Sequence, residues 1–398
     1  MSPERGQIPT VRIGLLGLIT IAVYGSWYYS FGVLLDPIIA DTGWGEAALA
    51  GAFGASMLLG GLASVLGGFL LDRRGSRLVF AIAAVIGLGA FHFAASASSP
   101  GAFALAAAIG GGAFSALGFY HVTLTTAVRI TPRSTSKAIA VLTIWGAFAS
   151  AVYLPLAAWL VEMWGWRTTL RVLTLSAVAT LFLGSLFIDT RTTEMPGGRS
   201  LLVELREAMR AKPTRQFVLA TGLLGIGIGT ILVYQVPAMT AAGLSLTAAS
   251  FWAGFRGFSQ LGGRLPLMPI VDRLGVVNAY RLAVVAMAVG GVVLAFAGTP
   301  ALALVFALLV GFGVGASSPL QGMHSRDLFG VAGLGTAMGA LAMVFMVVGS
   351  VGPTAAGWLA ETTGSRVIPV VASALVTVSA VPLIRAGVSR PSTSPSRR

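Results

Sequence analysis

Long apolar stretches, each near the length needed to cross a lipid bilayer, alternate with short polar segments along the whole chain. A membrane-spanning helix needs about 20 mostly apolar residues. Twelve stretches meet this requirement, at 13–38, 47–71, 78–98, 101–127, 138–162, 168–188, 216–240, 248–271, 279–298, 300–322, 332–359 and 367–386. The pattern therefore predicts an all-α membrane protein with twelve transmembrane helices.

The longest polar segment of the chain divides these spans into two groups of six. We expect an N-terminal six-helix bundle over 1–190, a cytoplasmic linker over 191–213 and a C-terminal six-helix bundle over 214–398. Within the linker, residues 201–211 are expected to form a short amphipathic surface helix. The first apolar stretch is too long for the core of a signal peptide, so we expect it to remain as a helix.

Two motifs occur twice in the chain at nearly constant separation. Leu-Asp-Arg-Arg-Gly at 71–75 returns as Val-Asp-Arg-Leu-Gly at 271–275. The pattern Trp-Leu-x-Glu-x-x-Gly-x-Arg at 159–167 returns 199 residues later, at 358–366. Internal repeats build many membrane carriers, whose central site lies between two halves that can rock. The repeats therefore predict a transporter made of two pseudo-symmetric helical bundles.

The 26 Lys and Arg residues lie mostly between the apolar stretches, so membrane topology explains the net charge of +13. If both termini are cytoplasmic, 21 basic residues face inward and 3 face outward, while Arg256 and Arg264 lie within the eighth span. This asymmetry predicts a multi-pass protein of the bacterial inner (cell) membrane with both termini cytoplasmic. We expect a monomer in the lipid bilayer and no nucleic-acid partner.

The composition also bounds the chemistry. The chain is 56% hydrophobic and 10% charged, whereas soluble domains contain roughly 25% charged residues. It has no cysteine, which excludes disulfides, thiol nucleophiles and cysteine metal sites. It has no Gly-x-x-x-x-Gly-Lys motif for ATP phosphates and no metal-spaced His and acid pairs. We therefore expect neither an enzyme nor a bound metal or other cofactor.

The segment 68–77 resembles the loop 2–3 signature of the major facilitator superfamily, and its second copy has Met268 in place of the first glycine. The resemblance implies two six-helix bundles around a central cavity and a cytoplasmic gate that is locked in one conformation. A carboxylate at a helix end can accept bonds from arginines and face a helix N-terminus of the other half. The candidate gating residues are Gly68, Asp72, Arg73, Gly75, Arg77, Asp272, Arg273 and Gly275.

Finer features resemble the monocarboxylate transporters and their oxalate–formate antiporter relatives within this superfamily. They lie at 29–35 and 43–44, in and after the first span, at 165–167 after the fifth span, and at 352–359 in the eleventh span. The resemblance implies secondary active transport of a small organic anion by alternating access. A monocarboxylate such as lactate or pyruvate is the favoured substrate, and protons are a candidate coupling ion.

Arg264 is the principal candidate for substrate binding. In the monocarboxylate transporters an arginine at this position anchors the substrate, and the resemblance implies that role here. An intramembrane arginine costs at least ~2.5–3.5 kcal/mol and suggests a function by itself. Its planar fork can donate two parallel bonds to a carboxylate. The equivalent position of the first half is Ser64, so the charge breaks the repeat. The structural alternative is that the side chain reaches the cytoplasmic face or caps helix carbonyls.

Two neighbours of Arg264 in the eighth span complete this part of the predicted site. Arg256 lies two turns earlier, so both guanidinium groups can face one cavity, which would favour a dianion, an oxyanion or a carboxylate passed between two sites. Bonding to irregular backbone is the structural alternative. Gln260 stands where some relatives carry a carboxylate thought to transfer the proton. Because an amide does not titrate, the usual proton relay is in doubt.

Aromatic and imidazole residues of the first and fourth spans are further candidates. Tyr24, Tyr28 and Phe31 are spaced to share one α-helical face, which could line a vestibule, with core packing as the alternative. Tyr120 resembles a substrate-contacting position of the bacterial relatives. His121 is the candidate proton carrier because imidazole titrates near neutral pH, with a polar contact between helices as the alternative.

Other functions are possible on this evidence. Within transport, they are antiport or export of a dicarboxylate, an inorganic oxyanion or a drug-like solute. A cationic drug is disfavoured because no Asp or Glu lies clearly in the middle of a span. An intramembrane enzyme would need converging ionisable groups at membrane depth, and the sequence offers only two arginines and scattered histidines.

Overall fold

The computed structural model of the protein describes residues 10–132, 134–190, 209–329 and 334–385. Within these ranges every regular element is a helix. The α-helices are α1 (Thr10–Val23), α2 (Phe31–Thr42), α3 (Glu46–Ser96), α4 (Pro100–Gly118), α5 (Tyr120–Ile130), α6 (Thr135–Phe187), α7 (Lys212–Ala241), α8 (Leu246–Arg264), α9 (Leu267–Leu294), α10 (Pro300–Phe329), α11 (Leu334–Gly349), α12 (Val351–Thr363) and α13 (Val367–Ser379). A π-helix, Tyr24–Tyr29, joins α1 to α2, and a 3-10 helix, Val381–Leu383, follows α13. Most of the expected linker helix, at 201–208, lies outside the described residues.

Two of these helices are too long for one span. Helices α3 and α6 contain 51 and 53 residues, and each includes a glycine with left-handed, non-helical backbone, Gly75 (φ 78°) and Gly165 (φ 71°). Contacts with α4 show that α3 reverses direction at Gly75, because they run parallel before this residue and antiparallel after it. The close contacts are Ser56 with Gly111, Gly67 with Ala116, Gly87 with Phe114 and Phe91 with Gly110. Helix α3 therefore consists of two antiparallel spans.

The described helices account for the twelve spans that the sequence predicts. Eight of the described helical stretches are long and apolar enough to cross a membrane, and two of them hold the paired spans of α3 and α6. Helix α8, which carries two arginines, and the shorter stretch Val367–Leu383 supply the remaining two. The π-helix with its flanking α1 and α2 forms the first span, α4 with α5 the fourth, and α11 with α12 the eleventh.

The two six-helix bundles face each other through three pairs of spans: the first with the seventh, the second with the eleventh, and the fifth with the eighth. Glycines allow the close approach that each pair requires. A Cβ atom at Gly32 would lie 2.6 Å from the carbonyl oxygen of Val233, and one at Gly257 would lie 2.3 Å from Oγ of Ser150. Small residues at these points let two helices pack in lipid, where the hydrophobic effect does not drive association.

The two ends of the molecule differ in how the halves are joined, and we name them by one residue each. The Asp72 end contains the turns at Gly75 and Gly275, and the Arg366 end contains the turn at Gly165.

At the Arg366 end, Arg366 of the C-terminal half pairs with Asp36 and with Glu46 of the N-terminal half. Burial disfavours the charge of Arg366, but the hydrogen bonds and charges of both acids outweigh burial and raise the pKa of its guanidinium.

The repeated glutamates make matching contacts at the same end. Glu361 accepts a hydrogen bond from the backbone N–H of Ala47 (2.7 Å), at the start of α3. Glu162 accepts one from the hydroxyl of Thr247 (2.7 Å), at the start of α8. A carboxylate is stabilised at a helix N-terminus because unpaired N–H groups and the helix dipole face it. Each copy of the repeat thus fastens one half to the beginning of a helix in the other half.

Candidate functional site

Arg264 lies where the two halves meet. The sequence predicted one continuous span over 248–271, but helix α8 ends at Arg264. It ends there because Pro266 has no N–H to continue the helical hydrogen-bonding pattern. The guanidinium Nη1 donates to the carbonyl oxygen of Thr143 in the fifth span (2.8 Å), so the side chain crosses from one half to the other. Its Nη2 is 3.4 Å from Oε1 of Gln260. The expected proximity of Arg264 and Gln260 is therefore present.

Arg264 has no acidic partner among the described residues. Their ion pairs involve Arg129, Arg167, Arg326 and Arg366, and neither arginine of α8 takes part in one. Two of the five N–H groups of the Arg264 guanidinium are engaged by a carbonyl and an amide oxygen. Three N–H groups and a net positive charge are thus left for another partner.

Arg256 is buried deeper in the same region. Only 2% of its surface is exposed, and its Nε donates to Oε1 of Gln235 in the seventh span (3.0 Å). The guanidinium carbon lies 5.9 Å from the ring centre of Tyr29, at the outer limit of a cation–π contact. Arg256 of the C-terminal half therefore lies beside Tyr29 of the first span.

The π-helix determines which tyrosines reach this region. Tyr24 and Tyr29 are both half-buried, and their rings stack with centres 6.1 Å apart. In an α-helix residues five apart differ by about 140° around the axis, whereas the i to i+5 bonding of a π-helix nearly superimposes them. The π-helix therefore adds Tyr29 to the ring contacts of Tyr24, which still meets Tyr28 of the expected face edge-on, with ring centres 5.8 Å apart.

The other members of that expected face pack inside the N-terminal half. Tyr28 is 8% exposed and contacts the rings of Phe53 and Phe119. Phe31 is fully buried, and its ring stacks on Phe53 with centres 5.1 Å apart. Core packing, the alternative interpretation of this helical face, therefore describes the surroundings of Phe31 and most of the surroundings of Tyr28.

The fourth span is broken at Phe119, next to this tyrosine pair. Phe119 stacks on Tyr24 (3.8 Å between ring centres), and the backbone N–H of Tyr120 points to the hydroxyl of Tyr24 (3.5 Å) instead of continuing the helix. This leaves the carbonyl of Ala116 without its helical donor, and Nε2 of His121 lies 2.9 Å from that oxygen. His121 therefore occupies the place of the missing backbone donor, while its role in proton transfer stays a prediction.

Sequence reasoning missed two residues of this region, Gln235 and Tyr29. Gln235 is fully buried in α7, and a lone amide deep in the apolar stretch Ile-Leu-Val-Tyr-Gln-Val-Pro at 231–237 was the signal that could have identified it. Tyr29 belongs to the segment that carries the family resemblance, but an α-helical register places it away from Tyr24.

The candidate gating residues gather at the Asp72 end. Asp72 pairs with Arg129 of its own half, and Arg129 also donates to the carbonyl of Leu71 (3.1 Å). Arg73 lies over the ring of Phe69 at 4.2 Å. A Cβ atom at Gly68 would meet open space, and Gly75 and Gly275 both have positive φ. Arg77 and Arg73 border a surface cavity of about 560 Å³. Asp272 and Arg273 are exposed. Their gating role stays a prediction.

Comparison with solved structures shows the same architecture over almost the whole chain. A single-residue mutant of the nucleoside transporter NupG superposes with a TM-score of 0.77 at 16% identity, covering 94% of this chain and 97% of its own. A POT family transporter in complex with 5-aminolevulinic acid gives 0.72 at 10% identity, covering 94% and 95%. A D-xylose–proton symporter gives 0.70 at 17% identity, covering 94% and 96%. At such identities the similarity concerns the fold.

The sequence itself gives the family. No curated protein matches the chain. The family model described as Major Facilitator Superfamily matches residues 16–255 and 217–398. Because these matches cover most of the chain and agree with the twelve-span fold, the protein belongs to the major facilitator superfamily of membrane transporters.

Proposed function

We propose that this protein is a secondary active transporter of a small organic anion, with a monocarboxylate such as lactate or pyruvate as the favoured substrate. The observation that carries the proposal is Arg264. Its guanidinium lies between the two halves, contacts both of them and has no acidic partner among the described residues. Arg264 is half-buried, and an arginine within a membrane span is expensive unless it is paired. A transported anion would supply the missing partner.

The neighbours of Arg264 support a carboxylate in particular. The oxygen atoms of Thr143 and Gln260 hold the guanidinium by two of its edges and thereby fix the plane of the fork. A planar fork held in this way can present two parallel N–H groups to the two oxygens of a carboxylate. Tyr24 and Tyr120, whose ring centres lie 5.3 Å apart, are the candidates to supply hydroxyl groups from the N-terminal half.

The arrangement of the two ends supports alternating access. Ion pairs between the halves close the Arg366 end, and the described ion pairs at the Asp72 end, Arg129 with Asp72 and Arg326 with Asp327, each lie within one half. If the Asp72 end is cytoplasmic, as the distribution of Lys and Arg predicts, the pairs of Arg366 close the outer end in this conformation. Transport then requires the contacts at the Arg366 end to break and the gating residues of the Asp72 end to close.

The anchoring role of Arg264 can be tested by uptake of labelled lactate into proteoliposomes. We expect Arg264→Ala to lower uptake at least about tenfold, since a charge-assisted hydrogen bond contributes roughly 1.5–3 kcal/mol and the carboxylate loses two of them. Arg326→Ala is the matched control because Arg326 is exposed in the same half and pairs only with Asp327 among the described residues. Equal uptake by the wild type and Arg264→Ala would refute the proposal.

A second candidate is exchange or export of a dicarboxylate or an inorganic oxyanion. The observation that favours it is Arg256, a second guanidinium on the same helix, two turns from the first, that no described acid neutralises. Competition experiments in the same proteoliposomes distinguish the candidates. Excess pyruvate should suppress lactate uptake more strongly than excess succinate or sulfate if the substrate is a monocarboxylate, and less strongly if it is a dianion.

A further inference from the structure

Two buried hydrogen-bond donors beside each other have no partner among the described residues. They are Nη2 of Arg256 and Nε2 of Gln235, and both atoms are enclosed by protein. The two side chains touch through the bond from Nε of Arg256 to Oε1 of Gln235. Their unused donors therefore belong to one small region between α7 and α8.

The side chains of Arg256 and Gln235 offer hydrogen-bond donors to this region, and neither has a free hydrogen-bond acceptor. An arginine has no acceptor atom, and the acceptor of Gln235 is already engaged by Arg256. The charge of Arg256 is not neutralised by any acid among the described residues. An enclosed pair of donors with a net positive charge selects an oxyanion over a cation or an apolar group.

The region is closed on one side, and on the other it lies two turns of α8 from Arg264. Toward the Arg366 end, Gly32 brings the first span against the backbone oxygens of Leu232 and Val233, where a Cβ would be as close as 2.6 Å. In the other direction along α8, Arg264 lies two turns away, about 12 Å along the helix axis. Tyr29 of the first span lies beside Arg256, with 5.9 Å between its ring centre and the guanidinium carbon.

We propose that Arg256 and Gln235 form a second carboxylate-binding subsite, so that a short dicarboxylate such as succinate binds with one carboxylate at Arg264 and the other at this pair. The inference rests on the proposed anion transport and extends its substrate class. Lactate, which has one carboxylate, binds through Arg264 alone.

The test is binding of succinate and of lactate to the purified full-length protein at pH 7.5, measured by calorimetry. The decisive variant is Gln235→Glu, which keeps an acceptor for Nε of Arg256 but removes the free amide donor and neutralises the guanidinium. We expect succinate affinity to fall by about tenfold or more, the loss of a charge-assisted bond, and lactate affinity to change less than about threefold. Arg256→Gln should give the same selective loss.

Two controls separate this subsite from folding and from the proposed function. Gln321→Glu introduces the same charge elsewhere in the C-terminal half and should leave both affinities unchanged. The thermal midpoint of Gln235→Glu should not fall, because the new carboxylate pairs with Arg256. If succinate binding survives in Gln235→Glu and Arg256→Gln, the subsite does not exist, whatever the effect of Arg264→Ala. If neither anion binds the wild type, anion transport fails as well.

Discussion

At the scale of single residues, hydrogen-bond donors outnumber acceptors around the two arginines of α8. Arg256, Arg264 and Gln235 together present N–H groups that no described protein atom accepts. Soluble cores avoid such groups because each unpaired donor costs about 1–3 kcal/mol. Their concentration in one region of a transporter is the physical reason why we propose an anion as the substrate.

His121 shows how the surroundings of one residue change its interpretation. Because Nε2 of His121 replaces the helical donor of Ala116, a glutamine at this position can make the same bond without titrating. We therefore expect His121→Gln to keep pH-driven uptake in proteoliposomes, within about twofold of the wild type.

The control for this prediction is His121→Ala, which removes the donor altogether. It should lower the free energy of unfolding by roughly 1–3 kcal/mol, the cost of leaving a buried carbonyl unpaired. A His121→Gln protein that folds normally but has lost its response to pH would restore the imidazole as the proton carrier.

Among the candidate site residues, the sequence drew attention to charged ones and to their neighbours along the chain. Arg264 and Arg256 stood out because a charge in an apolar span is costly, and Gln260 stood out because it lies one turn before Arg264. Gln235 has no charged residue near it in its span, and Tyr29 lies one position outside the α-helical repeat. Its placement depends on a π-helix, which hydrophobic periodicity does not reveal because all six residues of the turn lie in an apolar span.

At the scale of helices, the positions of the spans were predictable and their interruptions were not. The twelve apolar stretches coincide with the described helices, since bilayer thickness fixes the length of a span. The breaks at Phe119, within Tyr24–Tyr29 and after Arg264 are set by contacts between helices and by Pro266. Only the last of these had a local sequence signal.

The tight turn at Gly165 makes a direct prediction about stability. Its φ of 71° and ψ of 169° fall in a region that side chains with a Cβ rarely adopt, while the space around it is open. We expect Gly165→Ala to lower the free energy of unfolding by about 1–3 kcal/mol through backbone strain alone.

The matched control for Gly165→Ala is Gly89→Ala. Gly89 also has open space around its Cα, but it lies in a regular part of α3. Alanine there should be neutral or stabilising by up to about 1 kcal/mol. Thermal unfolding in detergent measures both variants, and equal midpoints would show that the turn carries no strain.

At the scale of the whole molecule, the repeats found in the sequence become the contacts that join the halves. Glu162 and Glu361 occupy equivalent positions of the two copies and reach equivalent positions at the starts of α8 and α3. The copies differ at their arginines: Arg167 pairs with Asp41 within its own half, whereas Arg366 crosses to Asp36 and Glu46. The pseudo-symmetry is therefore broken at the closed end as well as at Arg264.

Removing Arg366 should shift the molecule toward opening at that end. The chain has no cysteine, so Val236→Cys, at a buried position of α7 near the closed contact, gives a clean labelling site. We expect Arg366→Ala to increase labelling by an impermeant maleimide added from the Arg366 side by about fivefold or more, corresponding to a coupling of at least about 1 kcal/mol.

Arg171→Ala is the control for this experiment. Arg171 lies near the same end but donates to Ser96 within the N-terminal half (2.9 Å). Its loss removes a positive charge without separating the halves, so labelling of Val236→Cys should stay at the level of the unsubstituted background. Equal labelling in both variants would mean that Arg366 does not hold this end closed.

The bond from Arg264 to the carbonyl of Thr143 has an energetic consequence for the transport cycle. An anion bound to the remaining N–H groups of Arg264 pulls the guanidinium toward itself and weakens its bond to the oxygen of Thr143. Anion binding at Arg264 and separation of the fifth and eighth spans are then thermodynamically linked, so each must alter the equilibrium of the other by an equal factor. An anion that weakens the bond between Arg264 and Thr143 would lower the barrier to its own transport. Without a substrate the bond would stay intact, and the carrier would not change conformation.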